Sequence, residues 1–320
     1  MTNIQKNKRG PLAWGIMLVL TLIWGSSFIL MKKGLVVFDP GEVAGIRVMI
    51  AGLFLFPMAL KAMKGLRKKQ VFLLAVSGFV GVLAPAFLFA TAQTQLDSAI
   101  SGVLNALVPL NVLVVGALFY GQKIFPQHLL GIMIGFVGTA VLVLSGQGND
   151  LNSVNMYALL IVVATFMYGN NLNLVKFHLS DLNSMVISSV SIFIMGLFAS
   201  VYLFSATDFV QKLTEEDGAI MALAYLVILG GVGTALAISL FNKLLLITDP
   251  IFSSSTLYLV PIVAVMWGLL DGEVISFSHY VGVILIIFGV YFSNRRKRSV
   301  ESENRFKKVF RKTLTQRRAS

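Results

Sequence analysis

The sequence predicts an all-α integral membrane fold of ten transmembrane helices, arranged as two inverted five-helix repeats. Three observations carry this. First, 57% of the 320 residues are hydrophobic and only 12% charged, about half the charged share of an ordinary soluble chain. Second, the apolar residues gather into runs close to the ~20 residues that cross a hydrocarbon core. Third, the chain repeats itself. DSAISGVLNALVPLNVLVVGALFYGQK, Asp97 to Lys123, shares its layout with DPIFSSSTLYLVPIVAVMWGLLDGE, Asp249 to Glu273. Asp97 and Asp249, Pro109 and Pro261, and Gly81 and Gly233 each stand 152 apart. Gly121 and Gly272, Gly131 and Gly282, and Gly138 and Gly289 stand 151 apart. A near-constant offset of this kind marks an internal duplication.

In chain order, residues 1–12 are a polar, basic N-terminus, 13–145 the first repeat, 154–293 the second and 294–320 a basic tail. The first apolar run, Ala13 to Met31, exceeds a signal-peptide core of about 7–15 residues and lacks a small-residue cleavage site, so it reads as a retained helix. Spans fall near 13–31, 42–60, 70–91, 98–119, 127–145, 154–175, 184–205, 219–241, 250–270 and 279–293. With both termini cytoplasmic, 22 of the 26 Lys and Arg lie inside and Lys32, Lys33 and Lys212 outside, while ten of the 14 acidic residues lie outside. Without the long tail the basic ratio is still eleven to three, a positive-inside bias. Five spans per repeat is odd, so the second copy enters from the opposite side. Inverted repeats of this kind build a central site with two alternating faces.

The first and sixth spans align at an offset of 144, placing Trp24 over Tyr168, Gly25 over Gly169 and Lys32 over Lys176. Thr21, Trp24, Ser27 and Met31 share a helical face, as do Thr165, Tyr168, Asn171 and Val175. Two such stripes suit the wall of a polar cavity; helix packing through small, weakly polar residues is the competing reading. The fourth span adds Ser98, Ser101, Asn105 and Pro109 at helical spacing, with Gln93 and Gln95 just before it. Pro109 and its mate Pro261, with Ser253, Thr256 and Tyr258 upstream, each free a carbonyl within the membrane. They therefore read as kinks in moving or cavity-lining helices. Arg47 is the one formal charge well inside a span. It reads either as an anchor for a substrate anion or as a side chain snorkelling from near its helix end.

Gly131, Gly135 and Gly138 form a small-residue face suited to helix packing or a homodimer contact. His128, His178 and His279 lie far apart at helix ends or in loops, and no cysteine is present, so no metal site is expected. In the tail, Phe306, Val309, Phe310 and Leu314 share a face among basic residues. This suits a helix on the anionic inner leaflet rather than a nucleic-acid site.

The chain resembles the EamA family of the drug/metabolite transporter superfamily. The matching residues are TLIWGSSF at Thr21–Phe28, the Pro-to-Gly-acid/amide pattern from Pro109 to Gln122 and from Pro261 to Glu273, and AYLVILGGVGTALAISLFNKLL at Ala224–Leu245. The resemblance runs from Leu12 to Ser293. It implies ten helices in two repeats and transport of amino acids, other metabolites or drugs. The first repeat departs from it at Gln122, where a glutamate is usual, which removes an ion-pairing group.

The expected activity is secondary transport of a small metabolite, such as an amino acid or related polar compound, by alternating access across a bacterial inner (plasma) membrane. Multidrug or toxic-compound efflux, and a structural or sensory role, are the alternatives. No phosphate-binding loop occurs, so primary pumping and a bound cofactor are not expected. No H-E-x-x-H, G-x-S-x-G or buried carboxylate pair supports an intramembrane enzyme. No Asp or Glu lies well inside a span, so the usual proton-relay carboxylate is missing.

Overall fold

The computed structural model describes residues 10–122, 130–131, 133–138, 141, 156–248, 250–274 and 277–294, apart from some side chains in the last two helices. Among these the regular structure is entirely helical. Seven helices are long and apolar enough to cross a membrane: α1 (Pro11–Gly34), α2 (Pro40–Met63), α3 (Lys68–Ala92), α4 (Ser98–Tyr120), α5 (Met156–His178), α6 (Ser184–Ala206) and α7 (Ala219–Ile247). Two more, α8 (Pro250–Leu270) and α9 (Phe277–Asn294), carry shorter apolar stretches at Leu259–Leu270 and Tyr280–Gly289. The predicted fifth span is seen only as helical residues among 130–138 and at 141. The basic tail lies outside the described residues, as do Asp249 and His128 and the side chain of His279. Leu53, Phe54, Phe198 and Val201 face outward and are exposed, as lipid-facing side chains of a multi-pass membrane protein are.

Local chemistry sets the helix ends. Proline opens α1 and α2, where its missing N–H costs nothing. At the start of α2 the Asp39 N–H donates to Glu42 Oε2 at 2.8 Å, completing a capping box. Asn183 accepts from the Met185 N–H at the start of α6. Gly121 follows α4 and Gly272 follows α8, both left-handed (φ 65° and 82°). A side chain is strained there, so the glycines the duplication pairs are needed as terminators.

Two breaks in helical regularity are also related by the duplication. A π turn at Phe79–Leu83 interrupts α3, and another at Gly231–Leu236 interrupts α7. Their first residues stand 152 apart. Sequence reading gives no sign of either, because a π turn changes only which carbonyl each N–H reaches.

Packing brings duplicated positions face to face. Helix α2 lies along α6. Phe56 packs on Phe193, Gly52 on Gly196 and Gly41 on Tyr202, so the two run antiparallel. A Cβ on Gly52 would sit 3.0 Å from the Cα of Gly196, its own equivalent 144 residues on. Gly138 likewise packs on the backbone of Gly282 and Ile286, and Gly289 on Gly131 and Gly135, again antiparallel. This face of small residues is therefore covered within the chain. Helix α1 packs on α8 and α5 on the second half of α4. Gly25 lies against Val263, and Gly169 against Asn111, the position 152 residues before Val263.

Candidate functional site

The helices enclose a cavity of about 120 Å³, room for several waters or part of a small solute. Helices α1, α2, α3, α4, α5, α6, α7 and α8 all contribute to its wall. Much of that wall comes in duplicated pairs. Trp24 and Tyr168, Ser27 and Asn171, Phe28 and Leu172, Met31 and Val175, and Arg47 and Ser191 stand 144 apart. Val82 and Thr234, Phe89 and Phe241, and Asn105 and Leu257 stand 152 apart. The ring contacts follow the same rule. Trp24 meets Phe241 with centroids 5.1 Å apart, and Tyr168 meets Phe89 at 6.2 Å.

Both π turns serve this wall. The Trp24 indole Nε1 donates to the Gly233 carbonyl at 3.2 Å, within the second turn. Thr234 Oγ1 donates to the Leu229 carbonyl five residues back at 3.0 Å, and accepts from Arg47 Nε at 2.8 Å. In the first turn a Cβ on Gly81 would strike the Asn171 amide, whose Oδ1 accepts from Ser77 Oγ at 2.6 Å. Glycine at 81 and 233 lets α5 and α1 approach so closely. Asn242 Nδ2 donates to Ser188 Oγ at 2.7 Å, and both line the cavity.

Of the residues singled out from the sequence, Trp24, Ser27, Arg47, Asn105, Tyr168 and Asn171 line this cavity. Thr21 and Thr165 do not; each hydroxyl donates to its own helix, at Met17 and Val162. Gln93 and Ser101 are buried elsewhere, without side-chain hydrogen-bond partners among the described residues. The side chain of Tyr258 lies outside the described residues. Pro109 follows a 3-10 turn at Asn105–Leu107, and Pro261 sits inside α8. Both are buried without lining the cavity, whereas Val108 and Leu257 line it. Ser77, Phe89, Ser191, Thr234, Phe241 and Asn242 were missed. Applying the 144 and 152 offsets to Arg47 and to the third span would have found Ser191 and the Phe89–Phe241 pair.

At one end of α1, Lys32 bridges Asp271 and Glu273, both at 2.8 Å, and Lys33 also pairs with Asp271. Glu273 Oε1 further accepts from Ser98 N at 3.0 Å and Ser98 Oγ at 2.7 Å, and Oε2 from Ala99 N at 3.0 Å, capping α4. Burial raises the Glu273 carboxyl, but hydrogen bonds from Lys32, Ser98 and Ala99 outweigh it and hold it below the ordinary glutamate value. Hydrogen bonds from Lys32 and Lys33 hold Asp271 low as well. Lys212 bridges Asp39 and Glu42. Burial pulls its ammonium down, yet those two carboxylates hold it above the ordinary lysine value. Among the described residues no cluster of His, Asp or Glu could hold a metal ion.

Comparison with known proteins agrees with this architecture. Residues 13–144 and 155–295 each match the EamA-like transporter family. The chain is 27% identical to the uncharacterized inner membrane transporter YedA of Escherichia coli (strain K12), over 87% of this chain and 89% of that one. It is 22% identical to a probable amino-acid metabolite efflux pump of Salmonella typhimurium (strain LT2), over 86% and 92%. One crystal structure superposes with a TM-score of 0.59 at 16% identity, over 88% of this chain and 96% of that one; this speaks to the fold alone.

Proposed function

The chain belongs to the EamA-like transporter family, and on that premise we propose that it is a secondary transporter working by alternating access. It moves a small metabolite, an amino acid or related polar compound, across the inner membrane. The ten helices form two inverted repeats with both termini cytoplasmic, and the lined cavity is the substrate site. The observation that carries this reading is the wall built from duplicated pairs, between repeat-related helices that run antiparallel. Exchanging the conformations of two such halves would open one central site to either face in turn. Trp24, Ser27, Asn105, Tyr168 and Asn171 contact the solute, and Pro109 and Pro261 permit the bending. Outward transport is favoured by the resemblance to a probable metabolite efflux pump.

Counterflow tests it. Purified protein in liposomes, loaded with unlabelled amino acids, nucleosides or sugars, should accumulate the labelled compound of one class. Asn171→Leu or Trp24→Ala, in protein that still elutes as a folded particle, should abolish the accumulation. Flux untouched by either substitution would remove this cavity as the site. Flux that runs without saturation and without exchange would remove the carrier mechanism.

A further inference from the structure

The cavity wall carries one formal charge among the described residues. Among the described residues that line it, Arg47 is a cation, and no aspartate or glutamate faces it. The ion pairs among described residues join Lys32 and Lys33 to Asp271 and Glu273, and Lys212 to Asp39 and Glu42; none includes Arg47. Its Nε is held by Thr234 Oγ1 at 2.8 Å, which fixes the plane of the guanidinium. The two Nη groups make no hydrogen bond to a described residue, so four N–H donors remain for whatever occupies the space.

A cation kept within the membrane without a counter-charge is costly. The same guanidinium pairs bidentately with a planar carboxylate, among the strongest hydrogen-bonded contacts available. Around it the wall is largely apolar and aromatic, with the rings of Trp24, Phe28, Phe89, Tyr168 and Phe241. These rings suit an apolar body. An ammonium group would find Asn105 and Asn171 as neutral partners and no carboxylate, while sharing the space with Arg47.

Resting on the transporter reading above, we propose that the site takes organic monoanions: a carboxylate held at Arg47, with an apolar or aromatic body along the rings. An added ammonium weakens binding, and organic cations are refused. Within the metabolite class proposed above, organic acids are thereby preferred to zwitterionic amino acids, and the cationic amphiphiles of broad drug efflux are excluded as the site's ligands.

The test uses three compounds that share one body and differ in charge. They are 3-phenylpropanoate (anion), phenylalanine (the same anion plus an α-ammonium) and 2-phenylethylamine (cation). Binding to the full chain in lipid nanodiscs is measured by equilibrium dialysis of each labelled compound, with no transport step involved. The expected order is anion, then zwitterion, then cation, with at least about tenfold in apparent Kd between the first and the last. Arg47→Gln should remove that preference, and Arg47→Lys should restore part of it. Because an emptied Arg47 position could unsettle the fold, Thr234→Asp provides a second arm. It keeps the guanidinium and gives it an internal carboxylate at the Thr234 position, and should weaken anion binding by about tenfold or more. Cation binding equal to or tighter than the anion overturns the proposal, as does no binding of 3-phenylpropanoate. An anion preference that survives both Arg47→Gln and Thr234→Asp overturns it as well. Counterflow of another solute class alongside any of these results would leave the transporter reading standing and the charge assignment gone.

Discussion

Replacing Glu273 by glutamine should destabilise the protein more than the loss of one surface charge would. The Glu273 side chain is 1% exposed, and its two oxygens accept from Lys32 Nζ, Ser98 N, Ser98 Oγ and Ala99 N. A glutamine keeps one acceptor oxygen and turns an NH₂ toward a donor, leaving at least one buried N–H unpaired at about 1–3 kcal/mol. Losing a negative charge at the start of α4 adds about 0.3–1 kcal/mol. The ion pair itself adds about 0–1 kcal/mol, because Lys32 is partly exposed and keeps Asp271. The total is about 1–5 kcal/mol, seen as a fall of roughly 5 °C in the apparent unfolding midpoint near neutral pH. The pH dependence gives a sharper check. Glu273 and Asp271 are held below their ordinary values. Their stabilisation is therefore full above the unfolded carboxylate range, about pH 4–4.5, and is lost as pH falls through the lower folded values. Midpoints of wild type and Glu273→Gln should converge on acidification. Equal midpoints at neutral pH, or a gap that does not close in acid, would refute the reasoning.

Gly52→Val should prise α2 from α6, because its Cβ would lie 3.0 Å from the Cα of Gly196 and backbone cannot move aside cheaply. A loss of about 1–3 kcal/mol is expected, read as a lower thermal midpoint and a broadened size-exclusion peak; an unchanged midpoint would contradict the contact. Lys212→Met should leave Asp39 and Glu42 facing each other without their shared cation. Since the folded Lys212 is held above its ordinary value, its contribution is full below about pH 10 and is lost as pH rises through the folded value. The deficit of Lys212→Met should therefore be present at neutral pH and shrink in strong alkali.

How far the sequence foretold this molecule differs between fold and site. Helix positions were legible because period and length suffice: the predicted 184–205 falls within Ser184–Ala206, and 70–91 within Lys68–Ala92. The duplicated glycines were legible too, although only the structure shows Gly52 meeting Gly196 and Gly138 meeting Gly282. A quarter of the cavity wall, six of its 24 lining residues, was legible from the paired stripes of α1 and α5, which are uninterrupted helices. The part built by α3 and α7 was legible from the 152-residue offset and not from helical faces. A π turn adds an extra residue and rotates every later side chain by about 100° relative to a regular helix, so face arithmetic that skips the turn misassigns the residues beyond it. Gln93, predicted for the cavity from its place just before the fourth span, caps the end of α3 and is buried away from the cavity. Ser101 failed for another reason: its helix is surrounded, so polar spacing could not say which buried neighbour it would meet.

The duplication also shows where the two halves stopped being equivalent. The Lys33–Asp271 ion pair at the end of α1 corresponds, by offsets of 144 and 151, to Phe177 and Tyr120. Their rings stack with centroids 5.1 Å apart. Glu273, which caps α4, corresponds to Gln122, whose Nε2 instead donates to Asn173 Oδ1 at 2.9 Å. Among the described contacts, one end of the bundle is tied by ion pairs, and the other by rings and amides with the Lys176 ammonium over the Phe177 ring at 5.0 Å. If the halves exchange conformations about the cavity, opening the first end separates Lys32 and Lys33 from two carboxylates, whereas opening the second separates the Tyr120–Phe177 and Gln122–Asn173 contacts. Salt and acid weaken the former pairs. The balance between the two states then depends on ionic strength and pH, although no titratable carboxylate lines the cavity among the described residues.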